Sequence, residues 1–135
     1  MEKVIVNVAK TPTGYSASID ILPGWVLGTV GSFDDFQKEL QESVNISVEW
    51  AKEDGDEYPT VFNGEYDFEY KFNVESLLCS YKGVLSRSAL SRITGINKNQ
   101  LGNYVCGRSH PRQAQKVKII EGLHRLGEEL LAVSV

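Results

Sequence analysis

Cysteine is nearly missing from this chain: Cys79 and Cys106 are the only two in 135 residues. No CxxC pair or Cys/His spacing accompanies them, so neither a disulfide framework nor a zinc site is expected, and both are read as free core thiols. No apolar run approaches the roughly 20 residues that span a bilayer. The charged, strand-like start does not read as a signal peptide, and a cytoplasmic location is the expectation. "GWVLGTVG" is rich in glycine, but no GK[ST] follows, which removes a phosphate loop. The two histidines, His110 and His124, lack any Cys, Asp or Glu arrangement. His110 reads as a loop or phosphate-contact residue and His124 as a helix surface residue. Repeats, low-complexity segments and a Ser/Gly-rich linker are also missing, so the parts of the chain are expected to pack rather than swing freely.

What is present is ordinary in amount and uneven in distribution. Hydrophobic residues at 41% and charged residues at 24% fit a soluble globular protein, and the length suits one domain or two small ones. Residues 1–73 hold five Lys/Arg against fourteen Asp/Glu, a net charge of −9. Residues 74–135 hold nine against four, a net charge of +5. An acidic half followed by a basic half points to two surfaces with different partners.

The acidic half reads as strands around one helix. "KVIVNVAK" (Lys3–Lys10) is β-branched, "TPTG" is a turn in which Gly14 is free to take positive φ, and "YSASIDIL" (Tyr15–Leu22) alternates Tyr15, Ala17, Ile19 and Ile21. Pro23–Gly24 breaks the chain before a third strand, Trp25–Val30, which completes an antiparallel meander. From Ser32 the period becomes helical through Phe33, Phe36, Leu40, Val44, Val48 and Ala51, with Ser32 as cap and Asp35 three residues on. Asp34, Asp35, Glu39 and Glu42 fall on the exposed side of that helix. An acidic loop, Lys52–Glu65, leads to "YDFEYKF" (Tyr66–Phe72), a fourth strand with its aromatics on the packed face. Trp25 and Trp50 read as core or core-edge aromatics. The order β-β-β-α-β gives an α+β class with an antiparallel sheet in residues 1–73.

The basic half, residues 74–135, is read as all helical: Val74–Lys82, Ser86–Thr94, Asn97–Cys106 and Arg112–Leu131. Gly83, Gly95 and Gly107 serve as C-terminal caps, and Pro111 stands before the last helix. Gly122 and Gly127 count against that helix, at about 1 kcal/mol each. Within it, "SRSALSRITGINKNQLGNYVCGRSHP" carries Ser91, Gly95 and Leu101 at i, i+4 and i+10. This is the spacing of a helix-turn-helix: a small residue near the crossing, a glycine in the turn, and an apolar residue that pins the second helix, with Leu90, Ile93 and Ile96 in the other buried slots. The second helix then offers Asn97, Lys98, Asn99, Gln100, Asn103 and Tyr104. Asn and Gln amides match adenine edges and Lys matches guanine acceptors. Arg87, Arg92 and Arg108 stand where phosphates would pass, and Ser88 is counted with the DNA-binding residues. Sequence-specific binding of duplex DNA is the expectation, as a homodimer or higher homo-oligomer, because one short helix reads too few base pairs.

The segment is similar to the helix-turn-helix of the lambda-repressor and Cro family, with "YVCGRSHP" where that family often has a glycine and a basic residue before its next helix. The front half resembles the N-terminal domain of the HicB antitoxin family, on Tyr15, Ala17, Asp20, Pro23–Gly24, Gly28 and the acidic helix Ser32–Val44. The chain departs from that family at Val30–Ser32, where an acidic residue and a threonine are usual. The resemblance runs from Lys3 to about Leu131. It implies a degenerate ribonuclease-H-like domain, residues 1–73, that binds and blocks HicA, a small basic RNA-cleaving toxin. It also implies a tail, residues 74–135, that represses the operon by binding its operator. An acidic domain suits a basic partner through electrostatic steering, and buried anchors are expected at Trp25, Tyr58 and Phe62. No cofactor, metal or catalytic residue is expected. A live nuclease needs clustered carboxylates on the central strands, and the first strand offers Asn7 instead. A stand-alone transcriptional regulator with a ligand-sensing front domain remains the alternative.

Overall fold

Valine at every second position is what makes the first strand. β1 (Glu2–Lys10) turns Val4, Val6 and Val8 inward, where all three are buried. A computed structural model describes residues 1–135 and assembles β1 with β2 (Gly14–Ser18), β3 (Val26–Val30) and β4 (Tyr66–Phe72) in the order β3-β2-β1-β4. The class is α+β, with a four-stranded mixed sheet and five α-helices. The chain forms two compact units, Met1–Asn73 and Val74–Val135. No helix is long and apolar enough to cross a membrane.

The sheet is not purely antiparallel as expected. β1–β2 and β2–β3 are antiparallel, but β4 runs parallel to β1, from Glu2 opposite Tyr66 to Val8 opposite Phe72. The cause is the helix between β3 and β4. α1 (Phe33–Asp54) carries the chain back along the sheet, and a parallel neighbour needs such a crossover. Ser32 Oγ accepts from the Asp35 N–H at 3.1 Å and starts α1. The helix then buries Phe36, Leu40, Val44 and Val48 against the sheet. Each such side chain contributes about 1.5–3 kcal/mol when fully buried. Tyr15, Phe33, Phe36, Tyr70 and Phe72 close the core, with ring centroids such as Phe33–Tyr70 at 5.1 Å and Tyr15–Phe33 at 5.3 Å.

Several expectations fail locally for visible reasons. β2 ends at Ser18, because Ile19 C=O accepts from Leu22 and Leu22 C=O accepts from Trp25, two tight turns that swing Ile21 into solvent. Gly14 does not use positive φ. It is needed for space: an added Cβ would lie 2.0 Å from the Thr29 carbonyl oxygen of β3. Trp50 is 66% exposed and outside the core, since two residues on from Val48 it lies about 200° around the helix. The acidic loop is shorter than Lys52–Glu65, because α1 continues to Asp54 and a single 3-10 turn, Thr60–Asn63, tucks Val61 and Phe62 onto the core. β1 begins at Glu2, so it does carry one carboxylate, at its exposed start.

In Val74–Val135, α2 (Val74–Ser80), α3 (Arg87–Thr94), α4 (Lys98–Val105) and α5 (Gln113–Leu131) enclose Val74, Leu78, Leu90, Ile96, Leu101, Tyr104 and Ile119. Gly83 is not a left-handed cap; the chain leaves α2 through bonds from Val84 and Leu85 to Tyr81 C=O. Cys79 and Cys106 are free but exposed, not core thiols, because each sits on the outer side of its helix or at its end. Gly122 is not a weakness in α5. An added Cβ there would stand 2.4 Å from the Ile93 carbonyl oxygen, so glycine is what lets α5 meet the end of α3. Arg125, one turn on, donates to that same carbonyl at 3.0 Å. The two glycines of α5 should therefore respond oppositely. Gly122→Ala is expected to destabilise by about 1–3 kcal/mol, whereas Gly127→Ala, with open space around it, should stabilise by about 1 kcal/mol. Urea denaturation followed by circular dichroism measures both.

Candidate functional site

The helix pair α3–α4 is built by three local devices. Ser86 Oγ accepts from the Ala89 N–H at 3.1 Å and starts α3. Gly95, at φ +76°, ends it and donates to Ser91 C=O. Asn97 Oδ1 accepts from the Gln100 N–H at 2.8 Å and starts α4. Inside, Thr94 Oγ1 donates to Leu90 C=O at 2.7 Å and accepts from the Ile96 N–H at 3.2 Å, so the buried hydroxyl in the turn is satisfied. Leu90, Ile96 and Leu101 are buried around it.

On the outside of this pair, Arg87, Asn99, Gly102, Asn103, Cys106 and Arg108 line one cleft of about 200 Å³. An added Cβ on Gly102 would stand 2.9 Å from the Arg87 guanidinium, so the bare α4 backbone gives Arg87 its seat. Arg87, Arg92, Lys98, Asn99 and Arg108 are exposed, and none of the four cations has a carboxylate partner. No Asp or Glu occurs between Glu75 and Glu121, a stretch that carries eight Lys/Arg. Arg112, Lys116 and Lys118 within it are exposed as well. Motif reading passed over these three, and the run without carboxylates was the signal. Two guanidiniums, Arg87 and Arg108, that share a cleft without counter-charge can hold an oxyanion.

Not every expected contact residue is presented. Tyr104 is only 3% exposed and belongs to the core. It follows Leu101 by three residues, and the i, i+3 spacing places both on one face. Asn97 spends its side-chain oxygen on the cap. Gln100 is half-buried, with Nε2 donating to Ser109 Oγ at 3.4 Å, and Ser88 and Asn103 are half-buried too. Lys98, Asn99, Arg87 and Arg108 remain as the outward set.

In Met1–Asn73, Trp25 and Tyr58 share a groove of about 500 Å³ with Leu22, Val26, Val48 and Glu57. Trp25 Nε1 donates to Ser43 Oγ at 3.0 Å, and Tyr58 Oη donates to Asn63 Oδ1 at 2.8 Å, so both rings are pinned. Lys52 Nζ stands 5.6 Å from the Tyr58 ring centroid. Phe62 is not in this groove; its ring packs edge-on against Tyr66 at 5.1 Å. Asn7, at the middle of β1, donates to Asp20 at 3.0 Å. No three His, Cys, Asp or Glu side chains are grouped to hold a metal ion.

The placement of Asn97 and Tyr104 makes them stability residues. Tyr104→Ala should cost about 3 kcal/mol or more, and Asn97→Ala about 1 kcal/mol, both read by thermal denaturation. Lys98→Ala and Asn99→Ala, at exposed positions, should stay within about 0.5 kcal/mol.

Comparison of the chain with protein-family models, with curated proteins and with solved structures returns no match.

Proposed function

We propose that this chain is a HicB-like antitoxin. Met1–Asn73, read as a degenerate ribonuclease-H-like domain, binds and neutralises a small basic RNA-cleaving toxin of the HicA type. Val74–Val135, with α3–α4 read as a helix-turn-helix, binds operator DNA as a dimer and represses the operon. The observation that carries this reading is the division of charge between two compact units, −9 on one and +5 on the other. An acidic unit speeds encounter with a basic protein, and a basic helical unit neutralises phosphates. Within the basic unit, Lys98 and Asn99 are exposed and would reach base edges, with Arg87 and Arg108 as phosphate contacts. The groove at Trp25 and Tyr58 supplies the aromatic anchors that charge alone does not provide.

A second reading is favoured by one observation. A groove of about 500 Å³ is in the size range of small-molecule sites, which suits a transcriptional regulator that senses a ligand. Catalysis is not part of either reading, since metal-assisted hydrolysis needs clustered carboxylates and mid-β1 carries Asn7 instead. Metal-dependent cleavage of an RNA–DNA hybrid by the pure protein, lost on changing Asp20, would overturn that.

DNA binding is tested on the full chain against an inverted repeat from its own promoter. Lys98→Ala or Asn99→Ala should relax preference by about 1–3 kcal/mol at one base pair. Arg87→Ala or Arg108→Ala should weaken binding to every sequence and lower the salt slope by about one. Indistinguishable effects from the two pairs would contradict the assignment. Toxin binding is tested by association kinetics with the basic protein encoded next to this chain, whose on-rate should fall steeply as salt rises. An on-rate independent of salt would contradict the acidic surface's role.

A further inference from the structure

The sheet of Met1–Asn73 has two edges, β3 and β4, and they are finished differently. β4 turns Asp67, Glu69 and Lys71 outward, and charges of this kind keep an edge from taking up another strand. β3 has no such guard: Val26, Leu27, Gly28, Thr29 and Val30 include no charge and no proline. The 2.9 Å bond from the Gly31 N–H to Thr13 C=O sets the phase of the β2–β3 ladder. Bonded pairs recur at every second residue, so the ladder bonds join Tyr15 to Thr29 and Ala17 to Leu27. The N–H and C=O groups of Val26, Gly28 and Val30 therefore point away from β2, to the free edge. Val26 and Val30 are also 75% and 73% exposed.

This edge is continuous with other features. Val26 lines the groove that holds Trp25 and Tyr58, and Glu57 lines it too. At the other end, Asp35 Oδ2 lies 2.9 Å from where a Cβ on Gly31 would stand. An uncharged edge thus has beside it a groove whose walls include Leu22, Trp25 and Val48, and a carboxylate at each end.

We infer that β3 takes up an extended segment of a basic protein as a fifth strand. One apolar side chain of that segment enters the groove beside Trp25, and Lys or Arg near its ends faces Glu57 and Asp35. The inference rests on the reading of Met1–Asn73 as the unit that binds a small basic protein. Main-chain bonds at Val26, Gly28 and Val30 give affinity for any extended chain, and the groove and carboxylates select among chains. A second copy is the poorer occupant. Antiparallel pairing about Gly28 brings the Asp35 end of one strand to the Glu57 end of the other and joins two units of net charge −9, and like charges so placed repel.

The test is amide hydrogen exchange by NMR on the full chain, alone and with the purified basic protein encoded beside it. In the free chain, Leu27 and Thr29 should be protected while Val26, Gly28 and Val30 exchange freely. In the complex those three should slow by about tenfold or more. Gly28→Pro removes the central outward N–H, at a position where an edge strand tolerates proline, and should weaken the complex about tenfold; a thermal melt checks its fold, and if it unfolds the exchange data alone decide. A complex that leaves the three amides exchanging freely overturns the docking mode but not the partner. Absence of any complex overturns the reading of the partner and the docking mode with it. Protection of the three amides in the free chain that fades on dilution makes a second copy the occupant and overturns the inference.

Discussion

A four-stranded sheet under a single helix can cover only one of its faces and cannot close its edges, and Met1–Asn73 is organised by that constraint. The covered face is filled by valines from β1, aromatics from β4 and the α1 stripe of Phe36, Leu40, Val44 and Val48. Because α1 crosses back over the sheet, β4 joins parallel to β1 and becomes one edge, which leaves β3 as the other. The double turn through Pro23–Gly24 then brings Trp25 to the start of β3, where Ser43 of α1 fixes it. The groove is a consequence of how the chain enters its own edge strand.

Val74–Val135 is held by a different close approach. Gly122 lets α5 reach the Ile93 carbonyl, and Arg125 satisfies that oxygen. With α3 anchored from behind, its first residue, Arg87, can lie over Gly102 of α4 on the outside. Both contacts use glycine for proximity rather than for a special φ. They separate a core that contains Tyr104 from a surface that carries cations without partners.

Most of the element order was legible because it rests on period. The alternation of Tyr66–Phe72, the three-and-four spacing of α1 and the Ser32 cap are local signals, and each produced the element it suggests. What was not legible depends on pairing across the chain. No local pattern states that β4 lies parallel to β1, that Gly14 faces Thr29, or that Gly122 faces Ile93. In the candidate site, exposed residues such as Lys98 and Asn99 could be named from composition. Tyr104 was read as exposed by weighing side-chain type over its spacing from Leu101. The run without carboxylates from residue 76 to residue 120 was available in the sequence and is what adds Arg112, Lys116 and Lys118 to the exposed cations of this unit.

Both proposed interaction surfaces draw on the same physical resource, charge kept on separate units, each with its own buried core. The most direct measurement of that division uses two shortened chains, one ending at Asn73 and one starting at Val74. Each is produced in cells together with the neighbouring basic protein, and growth is scored beside binding to promoter DNA in vitro. The division of labour predicts that the acidic chain restores growth without binding DNA, and that the basic chain binds DNA without restoring growth. Rescue by the basic chain alone would contradict it.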